Sequence, residues 1–300
     1  MVLVAAGCQG ADRAGATEQT SQAGAISEEQ ALAAGYRPTP FGLMHPDCVH
    51  AVGAGAKVDA TRAQPCAHPS VQRQAASSPR AAAPSDDWPR QHGWVATSWA
   101  TFDDATLPTY LHATFTVPDA PTSSDDQTLF FFPSFAPQDH PPIIQPVLQW
   151  GPSSAGGGNY WTIASWYVSA DLSAEYSSLE RVSPGDVIDG VIDGSDCDSG
   201  ACTSWTITAT DTNTGIDSTL TTTGGDYAYK DVQGAVMEVY NTTSCSEYPS
   251  NAGITFSSIE VRSGATTLTP NWTTHLWDED PTCGATIDIS QGSTHTISFR

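Results

Sequence analysis

The chain has 300 residues, of which 15% are charged, and a formal net charge of -22. Residues 1–87 hold 6 Lys/Arg and 8 Asp/Glu and residues 88–300 hold 5 and 25, so the acidity belongs to the C-terminal part and argues against nucleic acid or an anionic membrane as a partner. Such a surface relaxes as carboxylates protonate, which fits either an acidic working environment or, more plainly, the solubilising surface of a secreted protein.

Residues 1–8 read as a lipoprotein-type signal remnant, in which LVAAG precedes Cys8, the cysteine to be acylated. An ordinary signal remnant or a free thiol is the alternative. Residues 9–35, rich in Ala, Gln, Gly, Thr and Ser, read as a flexible tether in which ISEEQALAA can form a short helix. Residues 36–70 read as a small disulfide-closed module and a candidate pro-segment. Its repeated Cys-x-His, at Cys48 to His50 and Cys66 to His68 with His45 nearby, also allows a Cys2His2 zinc site, but the spacing fits no familiar zinc arrangement and no metal is expected. Residues 71–87, VQRQAASSPRAAAPSDD, form an Ala/Ser/Pro linker in which Arg73 and Arg80, with Arg90 just beyond, are candidate protease-sensitive points.

There are seven cysteines, and with Cys8 set aside six remain. They fall into neighbours, so the simplest of the connectivities open to them is Cys48 with Cys66, Cys197 with Cys202, and Cys245 with Cys283. A disulfide framework places the chain outside the cytoplasm, secreted or lipid-anchored at the cell surface through Cys8. No stretch is long and apolar enough to span a membrane as a helix.

From residue 88 to 300 the pattern becomes one of short Val/Ile/Thr/aromatic runs between turn residues. The runs are WVATSWATF, YLHATFTVP, QTLFFFPSF, PVLQWG, YWTIASWYV, DVIDGVID, TSWTITATD, DSTLTTT, GAVMEVYN, GITFSSIEVR and HTISFR. These eleven runs, with no amphipathic helix among them, predict an all-β sandwich of two antiparallel sheets preceded by a low-complexity N-terminal region. No phosphate loop, dinucleotide fingerprint, GxSxG elbow or HExxH occurs, so no cofactor is expected.

Two polar residues interrupt strands that are apolar on both faces. Alternation puts Val147 and Gln149 on one face of PVLQWG, and Val236, Glu238 and Tyr240 on one face of GAVMEVYN. An amide and a carboxylate in such settings cost several kcal/mol, on the order of 2–7, unless each is paired. The plain reading is structural, with Gln149 tying strands together and Glu238 facing solvent or a buried partner.

The segment Trp94 to Val261 resembles the glutamic peptidases of the eqolisin family in the order of its motifs. These are ATFTVPDAP at Ala113 to Pro121, VLQWG at Val147 to Gly151, YWTIASWYV at Tyr160 to Val168, VSPGDVIDGVI at Val182 to Ile192, and AVMEVYN at Ala235 to Asn241. The resemblance implies a concanavalin A-like, jelly-roll sandwich and a catalytic dyad carried onto Gln149 and Glu238. In the family the glutamate activates a water that attacks the scissile peptide, and the glutamine amide stabilises the tetrahedral oxyanion. It also implies substrate contacts from Trp150, Trp161, Ser165, Trp166 and Tyr240. Ser165 stands where the family's aromatic strand carries an acid, and FFFPSFAPQD at Phe130 to Asp139 replaces an Asp-containing loop.

The leading expectation is thus an exported, monomeric acid endopeptidase acting on polypeptides, in contact with a membrane only through an anchor at Cys8. The alternative is a non-catalytic carbohydrate-binding domain that stacks polysaccharide rings on Trp150, Tyr160, Trp161, Trp166 and Tyr167. A glycosidase pairing Glu238 with Glu175 or Glu180 ranks last.

Overall fold

The computed structural model describes residues 25–62, 65–71, 91–136, 142–277 and 283–300. ISEEQALAA does make a helix, α1 (Glu28–Ala33), because Ser27 and Gln30 close a capping box over its first turn. Four short strands follow: β1 (Arg37–Thr39), β2 (Gly42–Met44), β3 (Val49–Ala51) and β4 (Ala56–Asp59). Then come β5 (Gln91–Thr101), β6 (Tyr110–Thr116), β7 (Thr128–Phe135), β8 (Ile143–Ser153), β9 (Gly156–Val168), β10 (Ala174–Tyr176), β11 (Glu180–Arg181), β12 (Val187–Asp198) and β13 (Ala201–Asp211). The chain ends with β14 (Asp217–Tyr227), β15 (Asp231–Thr242), β16 (Gly253–Ser263), β17 (Thr266–Leu268), β18 (Thr273–Leu276), β19 (Thr286–Asp288) and β20 (His295–Ser298). All eleven expected runs are strands. The additions are short edge pieces that carry too few residues to show a period.

Two nine-stranded sheets pack face to face. The first has the order β18-β5-β15-β7-β8-β9-β10-β3, with β11 also on β9; the second runs β19-β20-β16-β6-β12-β13-β14-β4, with β17 on β16. The core between them joins Phe131, Leu148 and Met237 of the first sheet to Phe115, Ile192 and Ile207 of the second. The second sheet shows water its outer face, and β13 alternates buried and open positions accordingly. The first sheet is buried on both faces, which is why β7, β8 and β15 carry apolar residues on both faces, with Gln145, Gln149, Gln233 and Glu238 as buried exceptions.

What covers that outer face is the N-terminal segment. Ala31, Tyr36, Leu43, Met44 and Cys48 pack against Phe130, Phe132, Val147, Trp166 and Val236. The segment does not stand apart from the sandwich as the expected small module would. β3 pairs in parallel with β10 and β4 in parallel with β14, so residues 49–59 run along an edge of both sheets, with Val52 N–H donating to Tyr176 O and Gly55 N–H to Thr219 O. Other strand pairings are antiparallel. The three disulfides form between the expected partners, Cys48–Cys66, Cys197–Cys202 and Cys245–Cys283. The Cys48–Cys66 bond consumes the two thiolates a Cys2His2 zinc site would need. Cys8 and Arg73, Arg80 and Arg90 of the linker region lie outside the described residues.

Candidate active site

Gln149 and Glu238 meet on one face through the strand between them. In the register of β15, β7 and β8, Glu238 lies opposite Phe130, and Phe130 lies opposite Gln149. Directly opposed residues share a face, so all three side chains rise from the outer surface of the first sheet, with the two polar groups on strands roughly 9–10 Å apart. Phe130 forms the floor between them, and Trp150 is on the other side, facing the core.

Each polar group is held. Gln149 is 1% exposed; its Nε2 donates to Gly151 O at 2.8 Å and Gly156 O at 2.9 Å, and its Oε1 accepts from Ser153 Oγ at 2.9 Å. These bonds curl the tip of the β8–β9 hairpin over the Gln149 side chain, and Thr128 Oγ1 adds a bond to Pro152 O. The curl depends on two glycines. A Cβ at Gly151 would sit 1.9 Å from Gln127 O, and one at Gly157 would sit 2.4 Å from Gln149 Nε2; both residues have positive φ, 85° and 99°. Glu238 is fully buried and accepts a hydrogen bond from the Tyr240 hydroxyl on its Oε1. Tyr240, expected as a substrate contact, is thus a partner of the carboxylate.

The other expected substrate contacts divide by face. Trp166 lies on the outer face, buried and stacked on Tyr176 with ring centroids 5.0 Å apart. Trp150, Trp161 and Ser165 do not belong there. Trp150 and Trp161 pack in the inter-sheet core with centroids 5.3 Å apart, and Ser165 donates its hydroxyl to Ser218 O on the opposing sheet at 2.7 Å. Strand alternation gives the reason: β9 puts Thr162, Ala164, Trp166 and Val168 opposite the outward residues of β8, so Ser165 points inward.

Among the described residues the aromatics of the carbohydrate reading present no open platform. Trp150, Trp161, Trp166 and Tyr167 are all buried, and the half-exposed Tyr160 carries the Arg181 guanidinium over its ring at 4.4 Å. A shallow recess of about 230 Å³ lies beside it, lined by Tyr160, Arg181 and Pro184 among others. The glycosidase pairing fails on geometry. Glu175 stands opposite Tyr167, and Glu180 opposite Ile163, both core residues on the far side of the sheet from Glu238. Burial raises the Glu175 carboxyl from an ordinary 4.5 to about 7.

One cluster of metal-type ligands occurs among the described residues, His45, Asp47 and His68. The two imidazoles stack 3.4 Å apart at 15°. A nitrogen of each ring faces Asp47 Oδ2, at 3.5 and 3.3 Å.

Sequence reasoning missed Gln145, four residues before Gln149 and hence on the same face, and the hairpin residues Ser153 and Gly156 that engage Gln149. The alternation that grouped Val147 with Gln149 reaches Gln145 too.

No protein-family model matches the chain, and no curated protein matches it either. Among solved structures, scytalido-glutamic peptidase with a peptide-based transition-state analogue is similar at a TM-score of 0.51 and 14% identity, over 71% of this chain and 100% of that one. SCP-B, a member of the eqolisin family of peptidases in complex with the tripeptide Ala-Ile-His, is similar at 0.50 and 13% identity, over the same shares. Aspergilloglutamic peptidase from Aspergillus niger is 17% identical over 58% of this chain and 99% of that one, with a TM-score of 0.41. The chain has the β-sandwich fold of the glutamic peptidases.

Proposed function

We propose that this chain is an exported acid endopeptidase of the Gln/Glu type, held in a closed form by its own N-terminal segment. The observation that carries the reading is the register Glu238–Phe130–Gln149, which sets a carboxylate and a primary amide on one sheet face with an aromatic floor between. Glu238 would take a proton from a water as it attacks the scissile carbonyl, and the Gln149 amide would donate to the oxyanion.

The form described here is closed on two counts. Both Gln149 N–H groups are spent on the hairpin, and residues 26–49, with Cys66 and Val71, cover the face. Activity therefore requires the hairpin tip to release at least one amide proton and the segment to lift. Cleavage in the linker at 71–87, where Arg73 and Arg80 stand, would allow the second step. An oxidising destination, with Cys8 as a lipid anchor, a polypeptide substrate and a closed form that is monomeric complete the reading. The disulfide framework and the acidic surface support it.

The test uses full-length protein on denatured casein between pH 2 and 7, before and after limited proteolysis. Cleavage in acid that increases on nicking, and is lost in Glu238→Gln and Gln149→Ala, is the expected result. No cleavage at any pH, or cleavage that both variants retain, overturns the reading.

A further inference from the structure

On the outer face, next to the dyad, two buried polar groups lack partners in complementary ways. Gln145 is fully buried; its Nε2 donates to Pro40 O at 2.6 Å, while its Oε1 has no hydrogen-bond partner among the described residues. Trp166 stands directly opposite Gln145 in the β8–β9 register, and its indole Nε1–H, also buried, has none either. A buried acceptor and a buried donor thus sit side by side without bonding each other, at a place where each forfeits its hydration.

Gln145 lies under the turn of the β1–β2 hairpin. That turn brings Pro40 O to Gln145, and Pro38 O accepts from Ser154 N–H at the tip of the β8–β9 hairpin, at 2.9 Å. The occupant is therefore polypeptide backbone, held through two carbonyls. It is a poor match, since proline has no N–H to offer Gln145 Oε1. In an extended chain the N–H and C=O of one residue point to the same side, so a primary amide can bind both.

We propose that Gln145 and Trp166 form a peptide-backbone subsite that binds an extended substrate through a residue other than proline. In this subsite Gln145 takes the C=O and N–H of that residue, and Trp166 Nε1–H donates to a neighbouring carbonyl. Gln145 is four residues from Gln149, about 13 Å along the strand, so the subsite lies several substrate residues from the bond Gln149 would polarise. Pro40 makes the chain's own segment a placeholder that fills the seat while leaving its acceptor and donor open, and a substrate segment that satisfies both displaces it. The role in catalysis rests on the peptidase reading; the binding does not.

The probe is a fluorescein-labelled Tyr-Arg-Ala-Thr-Ala-Phe, the sequence of residues 36–41 with both prolines replaced by alanine. It is titrated by anisotropy at pH 7 into full-length protein carrying Leu43→Ala and Met44→Ala, which loosen the native hairpin and leave Gln145 and Trp166 themselves unchanged. The alanine peptide is expected to bind about tenfold more tightly than the diproline parent, and Gln145→Met is expected to erase that preference. Trp166→Phe is expected to weaken both peptides. Equal affinity for the two peptides, a preference that survives Gln145→Met, or no binding overturns the proposal. If the loosened variant does not fold, amide exchange over residues 36–44 in Pro40→Ala full-length protein replaces it. Exchange there should slow with Gln145 present and stay unchanged with Gln145→Met, and the reverse pattern overturns the proposal. Peptide discrimination without casein cleavage keeps the subsite and sinks the peptidase; casein cleavage without discrimination does the opposite.

Discussion

Replacing Glu175 by Gln should stabilise the protein at neutral pH and leave it unchanged in acid. Glu175 is 7% exposed and points from β10 into the core beside Tyr167, and burial lifts its carboxyl from 4.5 to about 7. Below pH 4.5 the group is protonated in both folded and unfolded chains and carries no penalty. Between 4.5 and 7 the folded chain holds the extra proton, so stability falls as pH rises; above 7 the full penalty is present. The interval of 2.5 pH units, at about 1.36 kcal/mol per unit, amounts to about 3 kcal/mol. Glu175→Gln keeps the size of the side chain and removes the charge. Urea unfolding at pH 4 and pH 8 should therefore give equal stabilities at the first pH and a gain of about 3 kcal/mol at the second. The same difference at both pH values, or none at pH 8, would refute the burial argument.

His295 sets an opposing slope, since burial holds its imidazole down to about 4 from 6.5 while Nδ1 faces Ser98 Oγ and Nε2 faces Gly292 O. Stability present above pH 6.5 is lost as pH falls through 4, and His295→Gln should flatten thermal midpoints between pH 7 and 3.5. Gly157→Ala, which forces a Cβ to within 2.4 Å of Gln149 Nε2 at a φ of 99°, should cost about 2 kcal/mol or more in urea unfolding. Ser165→Ala removes the hydroxyl donated to Ser218 O and should cost about 1–2 kcal/mol while leaving KM for casein unchanged; altered KM at full stability would contradict its inward orientation.

Much of the sandwich is legible in the primary structure because its strands are long and turn-bounded, and the cysteine pairs are read from proximity alone. The face shared by Gln149 and Glu238 follows from alternation. The side on which that face lies does not. In β9 both rows of residues are apolar, so a period of two separates Ser165 from Trp166 without saying which row meets the second sheet and which meets the N-terminal segment. Trp150, Trp161 and Ser165, which the resemblance implies as substrate contacts, lie on the inward row, a placement that alternation alone does not give. β3 and β4 escape notice because three or four residues show no period and their parallel partners lie more than a hundred residues away. The capping of Gln149 by its own hairpin is likewise a matter of where Gly151 and Gly157 bend the chain, which no local motif announces.

The run of residues 49–59 along both sheets has a consequence for any form that loses the N-terminal segment. Its removal would uncover β10 and β14 together, two rows of unsatisfied backbone groups stacked one above the other at a single end of the sandwich. Open ends of this kind template pairing with strands from other molecules. The segment is then a guard against self-association as much as a cover for the dyad, and a chain deprived of it should sediment as dimers or larger species in proportion to its concentration.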